Sequence, residues 1–307
     1  MYFNVDFVFP YVNPKDEEWL KDYKKYKKDT NLDKNERFRD FSLLKYIFRS
    51  VEKFAPYINN IFILVSSNTQ IPNFINTEYK KLKIITHNQF IPKAYLPTFN
   101  SNTIEMFLQN IPNLSEHFIY SNDDFIFINK TDISDFFTLD GKKIKLAYEY
   151  MYNRMPVTFQ YCCKRNWDSV VNLFNNKKVD DKDYIYIKQF HGAASPRLLT
   201  DCKNCFEKLH TQILNSITTF RSLENNFNQY LFGYYSLLRG NAIYKTPNKI
   251  GNYVDANKGI DYILDAINNT PSKMLCINDT NKMTKDYIKQ IYWNLDTVFP
   301  EKSKFEN

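Results

Sequence analysis

The amino-acid sequence predicts an α/β protein with a mainly parallel sheet flanked by helices, on three observations. Val5-Asp6-Phe7-Val8-Phe9, Asn60-Ile61-Phe62-Ile63-Leu64-Val65-Ser66 and Leu82-Lys83-Ile84-Ile85-Thr86-His87 are short apolar runs with the composition of buried strands. Between the first two, Leu43, Leu44, Ile47, Phe48 and Val51 recur at helical spacing. The resulting order of strand, helix, strand and strand favours parallel pairing.

The first strand ends at Pro10 and delivers Tyr11 to Asp16, a polar loop where a nucleotide often sits in an α/β fold. Asn13 and Asp16 are ligand candidates there, and Asp16 reads equally well as a helix cap. Glu17 to Lys28 is charged, anchored by Trp19 and helical in composition; Thr30 to Glu36 has loop composition. The next helix is expected over 41–52 with its cap near Asp40. Arg49 stands at the edge of its apolar face, where a guanidinium reaches a phosphate or simply snorkels to solvent. His87 closes its strand as a structural imidazole. Leu96 to Glu105 is a Pro-bearing loop entering a helix, with Ser101 or Asn102 at the cap and Ile104, Phe107, Leu108 and Ile111 inward. Free amides at such an N-terminus bind anions, while Glu105 also complements the helix dipole.

His117-Phe118-Ile119-Tyr120-Ser121-Asn122-Asp123-Asp124-Phe125-Ile126-Phe127 places an Asn-Asp-Asp triplet between two apolar runs. At a strand's carboxyl end these oxygens suit a hard divalent cation holding phosphate. They equally suit a solvated Asx turn in a hairpin. Residues 136–148 read as strand and turn around Asp140-Gly141. Helix-like segments then dominate to about Leu238. Among them, small residues surround His191, leaving an imidazole either accessible as a base or merely packed in a loop. Thr219 to Asn225 is expected to begin another helix continuing through Asn228, Tyr230 and Leu231. Lys273 to Asp279 is a short strand ending in a second Asn-Asp pair, Asn278-Asp279.

The 307 residues allow one large core or two modest ones. A hydrophobic content of 43% excludes disorder, and 6 glycines with 12 prolines exclude fibrous and low-complexity types. The net charge of +7 is dispersed, suiting anionic small ligands or an anionic membrane surface. It is too weak for nucleic acid, and no nucleic-acid-binding pattern is present. No apolar run reaches the roughly 18 residues of a membrane span. The start lacks a signal-peptide pattern, so the five cysteines fit a reducing compartment. Cys202 and Cys205 lack the second pair that zinc needs. The preceding Ser195-Pro196-Arg197-Leu198-Leu199 does not read as the strand of a thioredoxin-like redox site.

Together these stretches resemble the Stealth family of sugar-phosphate transferases. Four blocks carry the likeness. They are Asp6 to Asp16; Arg37 to Ser50 with Leu96 to Phe127; His191 with Phe220-Arg221; and Cys276-Ile277-Asn278-Asp279, followed by a similar ending over Val298 to Glu306. The chain departs from the family pattern at Tyr11, Pro14 and Leu43-Leu44, and the spacing after His191 is loose. The resemblance implies a Rossmann-like, GT-A-like sheet in one catalytic domain over residues 1–307, with a helix-rich region at about 150–240. It implies transfer of a sugar 1-phosphate from a nucleotide sugar, foremost a UDP sugar, to a saccharide acceptor hydroxyl. Asp124, Asn278 and Asp279 would hold Mg²⁺ or Mn²⁺. Arg221 would stabilise charge, His191 would act as base with Asp123 as second choice, and Glu105 would join the catalytic set. Asp6, Asn13, Asp16, Arg39, Arg49, Asn100, Ser101 and Asn122 would contact the donor. A cytoplasmic location with peripheral association at an inner membrane face belongs to the same expectation. Two other readings stay open: a metal-dependent glycosyltransferase releasing UDP, in which the acidic cluster binds the same donor, and a non-catalytic carbohydrate-binding protein, against which the clustering of acids, histidine and arginines speaks.

Overall fold

The computed structural model describes residues 3–27, 43–149, 157–174, 188–189, 194–245, 250–280 and 282–307. Its strands are β1 (Val5–Pro10), β2 (Ile58–Val65), β3 (Leu82–Thr86), β4 (His117–Tyr120), β5 (Phe125–Phe127), β6 (Ile144–Glu149), β7 (Lys188–Gln189), β8 (Ser195–Leu198), β9 (Ala242–Lys245), β10 (Gly251–Asp255) and β11 (Met274–Asn278). Its α-helices are α1 (Glu17–Tyr26), α2 (Leu44–Phe54), α3 (Ser101–Glu105), α4 (Ile133–Phe136), α5 (Val157–Leu173), α6 (Leu199–Lys208), α7 (His210–Ser216), α8 (Tyr230–Arg239), α9 (Ile260–Asn269) and α10 (Lys285–Val298).

The central sheet has the order β3-β2-β1-β4-β8. Its first four strands are parallel and β8 runs antiparallel to β4. This is the mainly parallel sheet expected from the strand runs, in the Rossmann-like form that the resemblance implies. Side chains alternate across it, as the period of two requires. Phe7, Phe9, Ile61, Ile63 and Ile119 enter one core with α2, α9 and α10. Val8, Phe62, Leu64, Phe118 and Tyr120 enter the other with α5, α6, α7 and α8. Each such fully buried apolar side chain contributes about 1.5–3 kcal/mol relative to exposure. Among the described residues no helix is long and apolar enough to cross a membrane.

Strand order reverses between β1 and β4: β2 and β3 extend to one side and β4 to the other. Such a switch point leaves a crevice outside the carboxyl ends of the two strands. Pro10 and Tyr120 end there, followed by Tyr11–Asp16 and Ser121–Asp124.

Four local expectations are corrected. The triplet is not a hairpin turn, because β4 lies in the central sheet while β5 pairs with β11 in a separate β10-β11-β5 sheet. The segment Ser195–Leu198 is a strand; Pro196 is tolerated because β8 is an edge strand. The helix after Leu96 is only five residues long and is capped by Asn100, so it offers no sustained helix-terminal anion site. Residues 217–229 are non-helical and the helix begins at Tyr230, because Asn226 binds the intervening backbone through its side chain. The expected cap at Asp40 lies outside the described residues, and α2 begins with Leu43 at its N-cap. His87 is buried and held down at about pKa 4 by that burial, as a structural imidazole would be.

Candidate active site

The triplet occupies the crossing between two sheets. β11 runs antiparallel to β5, pairing Cys276 with Phe125. The Ile277 N–H donates to the Asp124 carbonyl at 3.0 Å. Asn278 follows Ile277 on β11 as Asp123 precedes Asp124, so this bond draws the two Asn-Asp groups to the same crossing. β10, parallel to β11, adds Asp255 beside Asn278.

Asn122, Asp123 and Asp124 are all half-buried, as are Asn278 and Asp279. The Asp124 carboxylate is more enclosed than its residue average. Oδ2 accepts from the Cys276 thiol at 3.2 Å, while Oδ1 is buried and accepts no hydrogen bond. Burial pushes this carboxyl up to about 6, and the Cys276 bond opposes the shift. A buried carboxylate oxygen that accepts no hydrogen bond fits a hard cation, which needs only one or two protein carboxylates alongside phosphate and water. The described residues contain no group of three or more His, Cys, Asp or Glu placed to hold a metal. Of the residues expected to hold a cation, Asp124, Asn278 and Asp279 are all within the described residues and half-buried.

A second cluster adjoins the first through Tyr120, the last residue of β4. The Tyr120 hydroxyl donates to Glu105 Oε1 at 3.3 Å, and the Gln229 N–H donates to Glu105 Oε2 at 2.7 Å. Glu105 is 4% exposed. Burial drives its carboxyl up to about 7, against the pull of Arg221 first and then of its own hydrogen bonds. Burial raises the Tyr120 phenol well above its ordinary range, and the charges of Glu105 and then Asp123 add to that shift. Arg197 on β8 is buried and donates to the Pro196 and Gln229 carbonyls, both at 2.8 Å, so Gln229 is clamped from both sides.

Arg221 is exposed and donates to Ser101 Oγ. Asn100 caps α3 through Oδ1, which accepts from the Asn102 N–H, and its Nδ2 reaches the Thr218 carbonyl at 3.1 Å. An aromatic cluster locks the two loops to α1. Phe99 stacks on Phe220 at 5.3 Å between ring centroids, and Tyr23 meets both edge-on. Asp16 is the α1 cap, accepting from the Trp19 N–H at 2.7 Å. Asn13 is tied to Gln70 through its own N–H at 2.6 Å.

Two nominated donor contacts are committed elsewhere. Asp6 lies at the start of β1, at the opposite end of the sheet from the crevice. Its Oδ1 accepts from Asn59 and Asn60 and its Oδ2 from the Ser115 N–H at 2.8 Å. Arg49 is held by both oxygens of Glu306, at 2.9 and 2.8 Å, and by the Phe299 carbonyl at 2.8 Å. Glu105 is enclosed rather than open to a reacting group. Arg39 and His191 lie outside the described residues. Tyr120, Arg197, Gln229 and Asn226 were not singled out from the sequence, because their partners are remote in the chain and no local pattern marks them.

The family model for conserved region 2 of Stealth proteins matches residues 37–145. The exopolysaccharide phosphotransferase of Lactiplantibacillus plantarum is 31% identical, covering 99% of this chain and 96% of that protein. A capsular polysaccharide phosphotransferase of Streptococcus pneumoniae is 31% identical, with 98% of both chains covered. One from Neisseria meningitidis serogroup A is 30% identical over 99% of this chain and 57% of its own length. Among solved structures, the WbbM bifunctional glycosyltransferase in apo form has a TM-score of 0.44 at 10% identity, covering 96% of this chain and 50% of that one. With near-complete coverage at this identity to named phosphotransferases, the chain belongs to the Stealth family and is an enzyme of its phosphotransferase kind.

Proposed function

We propose that the enzyme transfers a sugar 1-phosphate from a nucleotide sugar, foremost a UDP sugar, to a hydroxyl of an acceptor saccharide. The product is a phosphodiester-linked surface polysaccharide of the kind for which its relatives are named. The observation that carries this reading is the meeting of Asn122-Asp123-Asp124 with Asn278-Asp279 at the switch point. Tyr120 and Glu105 join that cluster to Arg221.

In this reaction the acceptor oxygen attacks the phosphorus that bears the sugar. The P–O bond to the nucleoside monophosphate breaks, and the monophosphate leaves with the bonding electrons. Arg221 donates to the phosphoryl oxygens as charge develops on them, the kind of preorganised stabilisation worth about 10²–10³ in rate. The acceptor proton passes to His191 or Asp123; Asp123 stands at the sheet crossing. Glu105 holds Tyr120 and Gln229 in place behind the site. A divalent cation, Mg²⁺ or Mn²⁺, held by Asp124 and Asp279 with Asn278, would neutralise the diphosphate.

Product analysis tests the reading. The enzyme is incubated with Mg²⁺, a panel of UDP sugars and short acceptor oligosaccharides, and the nucleotide released is identified. UMP release with a phosphodiester ³¹P signal in the product is expected. UDP release with no phosphorus in the product would overturn it in favour of glycosyl transfer.

A further inference from the structure

The segment 217–229 carries Arg221 on its exposed side and is closed from within by a single amide. Asn226 is 2% exposed. Its Oδ1 accepts from the Ser222 N–H at 2.8 Å and from Asn100 Nδ2 at 3.0 Å. Its Nδ2 donates to the Ser216 carbonyl at 2.5 Å and to Thr218 Oγ1 at 2.9 Å. Both amide protons and two lone pairs are therefore engaged. The Asn226 carbonyl accepts from Arg165 at 2.8 Å and from the Cys162 thiol at 3.2 Å, which fastens the segment to α5.

These bonds converge on Arg221 from both sides. Ser222, the next residue, is held by Asn226 directly. The Phe220 carbonyl, on the preceding residue, accepts from Thr218 Oγ1 at 2.6 Å, and Thr218 is in turn bound by Asn226. The Arg221 guanidinium rests on Ser101, the first residue of the helix that Asn100 caps, and Asn100 is also bound by Asn226. One side chain thus fixes the backbone flanking the cation and the support on which the cation lies. A purely structural amide would satisfy buried backbone groups without joining these two supports.

We propose that Asn226 is the positioning residue for the Arg221 guanidinium, setting where that cation meets the transferred phosphoryl group. The phosphoryl ligand rests on the function proposed above; the positioning itself does not.

A double-mutant cycle on kcat tests it, with turnover counted as total uridine nucleotide released from the UDP sugar that the wild type uses. Asn226→Asp keeps the shape but turns an acceptor toward the Ser216 carbonyl. Its kcat is expected to fall about 10- to 100-fold, since a misplacement of about 1 Å in a catalytic group costs that order. Arg221→Ala is expected to fall about 10²–10³-fold. The double variant is expected to match Arg221→Ala within about threefold, because residues that act through one another are non-additive. Losses that multiply in the double variant, or an unchanged kcat in folded Asn226→Asp, would overturn the proposal. Asn226→Ser takes its place if the aspartate does not fold. Release of UDP instead of UMP would sink phosphotransfer while leaving the cycle readable. Independently of turnover, the Arg221 Nε–H NMR signal, assigned by its loss in Arg221→Ala, is expected to be sharp in wild type and broadened in Asn226→Asp. An unchanged signal would equally overturn the proposal, and it decides the matter if no donor is turned over.

Discussion

The Ile277 N–H donates to the Asp124 carbonyl at 3.0 Å, and this bond brings together two Asn-Asp groups separated by more than 150 residues of chain. Each group alone is an ordinary turn composition. Their approach at a strand-order reversal is the feature on which the proposed phosphate-handling role rests.

Asp124 carries an enclosed oxygen that accepts no hydrogen bond. Its carboxyl is raised to about 6, so its contribution to stability is present at low pH and is lost as pH climbs through that value. In cation-free protein at neutral pH, Asp124→Asn is expected to melt no lower than wild type. Activity is expected to drop by about 10²-fold or more, as for a lost charge-stabilising group. Mg²⁺ is expected to raise the Tm of wild type through selective binding to the folded state and to leave the variant unmoved. Calorimetric melting with and without Mg²⁺ checks the two Tm outcomes, and steady-state turnover checks the loss of activity.

Glu105 gives a pH signature of its own. Its carboxyl titrates at about 7 in the folded protein, well above the ordinary value of about 4.3. Stability from this group is full below the unfolded value and is lost as pH rises from there through about 7. The slope is at most about 1.4 kcal/mol per pH unit. The stability of Glu105→Gln, measured by urea unfolding between pH 4.5 and 8, is expected to fall less steeply with pH than that of wild type.

Arg49 and Glu306 form a bidentate pair whose side chains are 10% and 5% exposed. Removing one partner leaves the other enclosed without its counter-charge. Arg49→Ala is expected to lose about 2–4 kcal/mol of stability, toward the low end for a broken buried pair. The KM for the nucleotide sugar is expected to stay unchanged in the folded variant. A raised KM at unchanged stability would return Arg49 to the donor site.

Arg221 is exposed and makes a side-chain bond to Ser101. Arg221→Lys keeps the charge but not the planar fork that binds two phosphoryl oxygens at once. It is expected to keep the wild-type Tm and to lose about 10-fold or more in kcat, less than the alanine variant. Steady-state kinetics beside thermal melting separates the two effects.

The main sheet was legible because buried parallel strands announce themselves by composition: β1, β2 and β3 are apolar runs that admit no other home. β8 was not, since Pro196 and Arg197 read as loop, and only pairing with β4 makes them a strand. The apolar spacing after Arg221 suggested a helix, yet Asn226 supplies side-chain bonds that compete with helical ones, and the helix waits until Tyr230. The residue types of the triplet were legible and its setting was not, because register with β11 is a long-range property. Arg49 shows the reverse case: a plausible phosphate ligand by type is consumed by Glu306 near the far end of the sequence.

Cys276 sits in the β11 strand, fully buried, with its thiol donating to Asp124. Burial and the neighbouring carboxylate raise its pKa well above the usual thiol range, so almost no thiolate forms in the closed protein. Alkylating reagents therefore reach this sulfur only during excursions that part β11 from β5. The chain thus contains its own probe of local opening at the sheet crossing: where reclosing outpaces modification, the rate at Cys276 relative to that of an exposed thiol gives the free energy of that opening.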